Sequence, residues 1–172
     1  MTHVVEPAAS GRSKCRGCGR GIAKGELRFG ERLPNPFADG DMTVWFHVLC
    51  AAYRRPESFS EVLPEAALDN AAELTQIIEE GLEHSRLERI SGVEQAPSAR
   101  ARCRHCNEMI DKDAWRIKLS YFEEGVYGGG GNVHLACGEG YFGTSALLQR
   151  LEHFADLDDD AAADLRAAAA AT

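Results

Sequence analysis

No apolar run in this sequence approaches the ~20 residues that a membrane-spanning helix needs, although 44% of its 172 residues are hydrophobic. Its start, Met-Thr-His-Val-Val-Glu-Pro, lacks the basic-then-apolar order of a secretory signal. These two absences predict a soluble, intracellular protein with no membrane partner. Positive charge is also in deficit: 19 basic residues face 27 acidic ones, a formal net charge of −8. Taken as an average, that balance argues against nucleic acid. There is no phosphate-cradling loop either. The run Gly128–Gly131 is not followed by the Lys-Ser/Thr pair of such a loop and is expected at a flexible hairpin end. No nucleophile stands beside a base, and His3, His84, His105 and His153 read as lone surface or packing residues. The expectation is a protein that is not an enzyme.

Cysteine is scarce but organised. The six thiols fall into two sets of three, and each set acquires a histidine. The first set is Cys15-x2-Cys18, then 28 residues, then His47-x2-Cys50. The second is Cys103-x2-Cys106, then 27 residues, then His134-x2-Cys137. Corresponding ligands are offset by 88, 88, 87 and 87 positions, which is an internal repeat. Zn²⁺ takes four tetrahedral ligands, and residues two apart can bend around one ion. Four protein ligands leave no open position for water, so two structural zinc ions are expected. Redox pairs or coincidental thiols are the alternative, and the repetition of the full pattern weighs against them.

More than the ligands repeats. Arginine stands three residues before each first cysteine (Arg12, Arg100), isoleucine seven after (Ile22, Ile110) and lysine nine after (Lys24, Lys112). Arginine stands thirteen after (Arg28, Arg116), within the strand-like runs Leu27–Gly30 and Trp115–Leu119. Helical segments follow each His-x2-Cys pair. Pro64–Ile90 carries apolar residues at 68, 74, 77, 78, 82 and 87, and Ser145–Leu157 holds Leu147, Leu148, Leu151 and Phe154. Asp158 is placed to cap a short Ala-rich helix. The predicted fold is α+β. It consists of two small zinc modules, residues 1–92 and 93–172, each a short antiparallel sheet around a Cys3His site with flanking helix. A module that small needs a metal to supplement its core.

The run Ser10–Cys18, the segment Ile22–Gly30 and Trp45-Phe46-His47-Val48-Leu49-Cys50 resemble the poly(ADP-ribose) polymerase-type zinc finger, as do Phe59–Val62 and the helix after them. The resemblance covers most of residues 8–92 and, more loosely, 97–165. The second half departs from it with Asn132-Val133 where the first has Trp45-Phe46, and with its glycine run. The resemblance implies recognition of nicks and other strand breaks in DNA repair, with no polymerase domain in this chain. It also implies a nuclear location in a eukaryote, or a cytoplasmic or nucleoid-associated one in a bacterium.

Charge by segment suits that reading. Residues 10–56 hold nine basic and four acidic residues, whereas residues 98–143 hold six of each. Residues 57–97 hold two basic and ten acidic. The first module is therefore expected to grip phosphates through Arg12, Lys14, Arg16 and Arg28. Leu33 and Phe37 either cover a base step exposed at a break or pack in the core. In the second module the candidates are Arg100, Arg116 and Lys118, and His105, between two zinc ligands, lies where DNA could approach. The acidic segment is either a solvated helix face or a surface that disfavours intact duplex. Two functions remain at this point. One is a break-binding protein whose partners are damaged DNA and a repair enzyme on another chain. The other is a zinc-stabilised protein-interaction adaptor that has lost DNA binding.

Overall fold

A computed structural model describes residues 2–172. The chain divides into two units, one comprising Met1–Glu88 with Phe122–Tyr127, the other Arg89–Tyr121 with Gly128–Thr172. Each unit is built on three strands, in the orders β1-β2-β3 and β4-β5-β6.

In the first unit, β1 (Val4–Pro7) pairs antiparallel with β2 (Leu27–Pro34), which pairs antiparallel with β3 (Asp41–His47). Along β3, buried Val44 and Phe46 alternate with Thr43 and Trp45, the period of a sheet with one covered face. Phe29 of β2 sits 6.1 Å from Phe46 and 5.1 Å from Phe59, and all three rings are fully buried. Phe59 comes from α2 (Pro56–Ser60), which follows α1 (Val48–Arg54) directly and opens with proline at its first turn. Then comes α3 (Ala71–Glu83), whose Leu74, Ile77, Ile78 and Gly81 recur at helical spacing on its buried face.

The expected helix over 64–90 is thus interrupted. Pro64 lies in a single tight turn at Leu63–Glu65, and Ala67 takes a positive φ of 50°. Ala67 stops a helix begun at Pro64, because a left-handed residue cannot continue a right-handed turn. At the other end Ser85–Arg89 forms a second short turn, and Ile90 already belongs to β4 (Ile90–Gln95).

In the second unit, β4 pairs antiparallel with β5 (Trp115–Glu123), with a bulge between Ile90 and Gly92, and β6 (Val126–His134) completes the sheet. The glycine run is not a hairpin end: it lies inside β6, and the turn falls at Glu124-Gly125. Side-chain crowding explains the placement. A Cβ on Gly130 would come within 2.6 Å of the Tyr121 ring, and one on Gly131 within 2.6 Å of the Arg104 guanidinium. After β6, α4 (Gly138–Phe142) ends at Gly143 in the left-handed conformation, a common helix stop. Next come α5 (Leu148–Phe154) and α6 (Asp159–Ala170). As expected, Asp158 caps α6, accepting a bond from the Ala161 N–H at 2.8 Å. Trp115 Nε1 donates to Asp164 at 2.8 Å and Leu165 is fully buried, which docks α6 on the sheet's own unit.

The repeat extends into strand register. Glu6 stands opposite Arg28, and Glu94 opposite Arg116. The Ala8 N–H donates to the Glu26 carbonyl and the Ala96 N–H to the Ala114 carbonyl, both at 2.8 Å. Every one of these pairs is displaced by 88 positions.

Candidate metal centres and nucleic-acid surface

Each unit gathers one Cys3His set. Cys15 and Cys18 sit on the knuckle before β2, His47 ends β3, and Cys50 lies on the first turn of α1. Their ligand atoms all lie within 4.8 Å of one another, as do those of Cys103, Cys106, His134 and Cys137. A tetrahedron with Zn–S bonds near 2.3 Å has sulfur–sulfur edges of about 3.8 Å, so both sets fit the ion. The histidines are already aimed. His47 Nδ1 lies 3.3 Å from Cys18 Sγ and 3.8 Å from Cys50 Sγ, while its Nε2 donates to the Gly21 carbonyl at 3.1 Å. His134 repeats the arrangement, with Nδ1 3.4 Å from Cys106 Sγ and 3.8 Å from Cys137 Sγ, and Nε2 donating to Met109 O at 3.2 Å. Fixing the proton on Nε2 leaves the Nδ1 lone pair for the metal.

Backbone donors favour thiolate. The His47 N–H donates to Cys15 Sγ at 3.3 Å, and Cys103 Sγ accepts from the N–H groups of His105 and His134, each at 3.4 Å. Burial pushes the Cys103 thiol up, but the backbone donors at Cys106, His134 and His105 outweigh it and hold it down at about 6. A positioning residue also emerges at the first site. Arg54 is 2% exposed, lies over the Tyr127 ring at 3.8 Å, and donates to Gly17 O at 3.4 Å, inside the Cys15–Cys18 knuckle. Its role depends on which face of α1 is covered, and a residue count cannot show that.

The first module's nine basic residues divide into two groups. Arg12, Lys14, Arg16, Arg20, Lys24 and Arg32 are exposed, whereas Arg28, Arg54 and Arg55 are engaged inside the unit. Arg28 donates to Ser13 Oγ at 2.9 Å and Glu6 Oε1 at 3.2 Å, with its guanidinium 3.5 Å from the Trp45 ring centroid. Arg55 makes a two-pronged pair with Glu31, at 2.8 and 2.7 Å, and Ser58 Oγ donates to the same carboxylate. Glu31 is 1% exposed.

Phe37 lies in the β2–β3 loop and is 92% exposed, so it is not a core residue. Leu33, on β2, is half-buried. The loop has its own order: Asn35 Oδ1 accepts from the Phe37 N–H at 2.9 Å, and the Asn35 N–H donates to Gly40 O at 3.0 Å.

In the second unit Arg100 and His105 are exposed. Arg116 donates to Glu94 at 2.6 and 3.1 Å, and Lys118 lies 3.7 Å from the same carboxylate. Glu94, on a strand that composition does not reveal, is the acid that occupies these two bases.

Residues 6–84 match the family described as the "Poly(ADP-ribose) polymerase and DNA-Ligase Zn-finger region". A poly [ADP-ribose] polymerase of Drosophila melanogaster is 28% identical over 148 residues, 75% of this chain and 15% of that protein. The polymerase of Sarcophaga peregrina is 33% identical over 147 residues, again 15% of its length. Poly [ADP-ribose] polymerase 1 of Caenorhabditis elegans is 42% identical over 50 residues. The chain thus spans about a seventh of the two insect relatives. With the Cys3His geometry, the match identifies residues 6–84 as a zinc finger of the poly(ADP-ribose) polymerase and DNA-ligase family.

Proposed function

We propose that the chain is a zinc-dependent DNA-binding protein that recognises nicks and ends and brings them to a repair enzyme on another chain, without catalysis of its own. The observation that carries the reading is Phe37. A phenylalanine with 92% of its surface in water has no folding role, and at a break a base pair has lost the neighbour that covered its face. Phe37 can occupy that face, with half-buried Leu33 behind it on β2. Arg12, Lys14 and Arg16 on the same unit supply phosphate contacts and the electrostatic part of affinity. Arg28 supports them from within, by holding Trp45 and Ser13. Arg100 and Lys118 are the second module's candidates, Lys118 weakened by Glu94 at 3.7 Å. Arg116 is the counterpart of Arg28.

The test is binding to nicked, blunt-ended and closed circular duplex of one sequence at two salt concentrations. Nicked and ended DNA should bind more tightly, affinity should fall steeply with salt, and scrambling the flanking sequence should change little. Equal affinity for nicked and closed circles would defeat break recognition. The adaptor reading is favoured by one feature, the acidic segment 57–97, which repels phosphate. Absence of binding to any duplex at low salt would select it.

A further inference from the structure

Of the six apolar positions noted at helical spacing over 64–90, the fold uses four. Leu74, Ile77, Ile78 and Leu87 are buried, whereas Leu68 is half-buried and Leu82 is 51% exposed. Leu68 and Leu82 are not scattered surface residues. With Leu63, Pro64, Ala71 and the edge of Ile78, they line a groove of about 420 Å³ between the 63–65 turn and α3. Glu79 stands in its wall, and Glu65, Asp69, Glu73 and Glu83, close in sequence to the lining residues, are exposed. Over residues 57–88, nine acidic residues face one arginine, Arg86.

An apolar trough in a negative field defines its occupant by exclusion. Phosphate backbones are repelled, and so is a second copy placed groove to groove, since both faces carry the same sign. What fits is a helix whose leucine-like stripe fills the trough while lysines or arginines on its flanks meet the carboxylates. We propose that this groove docks a basic amphipathic helix of a partner protein. None of its lining residues is among those assigned to DNA, so the two surfaces can be occupied separately.

Fluorescence anisotropy on the full zinc-loaded chain, at about 0.15 M salt where charges beyond ~8 Å are screened, tests this. The probe is a labelled peptide of about fourteen residues with leucines at i, i+3, i+4 and i+7 and lysines elsewhere. A second peptide replaces the leucines by alanine and keeps the lysines. The leucine peptide should bind in the micromolar range and the alanine peptide at least about tenfold more weakly. Leu82→Glu and, independently, Leu68→Glu should weaken the leucine peptide by a similar factor. Each variant makes the chain more negative, so attraction by charge alone would instead tighten binding. Zinc content and circular dichroism verify that the variants fold, as expected for side chains already in contact with water. Three results would overturn the proposal: no binding of the leucine peptide, equal affinity for the alanine peptide, or unchanged or tighter binding by both variants. Self-association of the chain that either variant abolishes would also overturn it, by making a second copy the occupant.

Discussion

Replacing Phe37 by alanine isolates the proposed end-reading element from everything else. The side chain is 92% exposed, and the loop's bond to Asn35 Oδ1 is donated by the residue-37 backbone N–H, which alanine retains. Folding stability should therefore move by no more than ~0.5 kcal/mol, the range of ordinary surface changes. Binding should respond very differently. Stacking an aromatic on a base contributes ~1–3 kcal/mol, and 1.4 kcal/mol is tenfold in affinity. Phe37→Ala should accordingly bind a nicked duplex circle about 5- to 150-fold more weakly and a closed circle of the same sequence unchanged. Because no charge is lost, the slope of log affinity against log salt should stay constant. Anisotropy titrations of both duplexes at several salt concentrations measure all three quantities, and Phe37→Trp should restore the preference. An equal loss on nicked and intact DNA, or no loss on either, would refute the assignment of Phe37 to the break.

Two arginines that look alike in sequence should separate. Arg12→Ala should lower the salt slope by about one unit and leave the melting temperature alone. Arg28→Ala should instead destabilise the first unit by ~1–3 kcal/mol through loss of Glu6, Ser13 and the Trp45 face, as urea unfolding followed by tryptophan fluorescence would report. Glu31→Ala leaves Arg55 without its buried partner and should cost ~3 kcal/mol on the same assay. Protein purified without added metal should carry about two zinc ions by elemental analysis, and a strong chelator should abolish the near-ultraviolet dichroism. Asp158→Ala should reduce α6 stability by ~1 kcal/mol, seen as faster amide exchange over residues 161–165.

The metal centres were fully legible in the sequence, because ligand chemistry is tied to residue type and short spacing. Trp115 and Phe29 likewise marked their strands through apolar runs. What stayed hidden depended on cross-chain register. The strand Val4–Pro7 is four residues long and ends in proline, so nothing local distinguishes it from a loop. Yet it places Glu6 against Arg28, so that the guanidinium has a carboxylate partner 3.2 Å away within the unit. Ile90–Gln95 does the same to Arg116. The glycine run misled for a related reason. Composition reads Gly128–Gly131 as turn chemistry, whereas the fold uses the missing side chains to admit Tyr121 and Arg104. Leu82 kept its helical period without finding a core, so period alone could not show which apolar residues are buried.

The placement of the first Cys3His set bears on how the loop that carries Phe37 is held. Phe37 sits on the arc between Cys18 and His47, and both feet of that arc end on the same four-ligand cluster. An ion there acts as a clasp: it ties off the 28 residues between Cys18 and His47 in the unfolded chain, a restriction of about 3–4 kcal/mol by the entropy of ring closure. The whole β2–β3 ribbon lies inside the tied loop. Losing the ion would therefore let the ribbon's two feet drift apart. The tip would keep its phenylalanine but lose its fixed reach from the arginines at 12 and 16. Zinc occupancy and discrimination between nicked and intact DNA should consequently decline together, even under conditions where overall affinity for DNA persists.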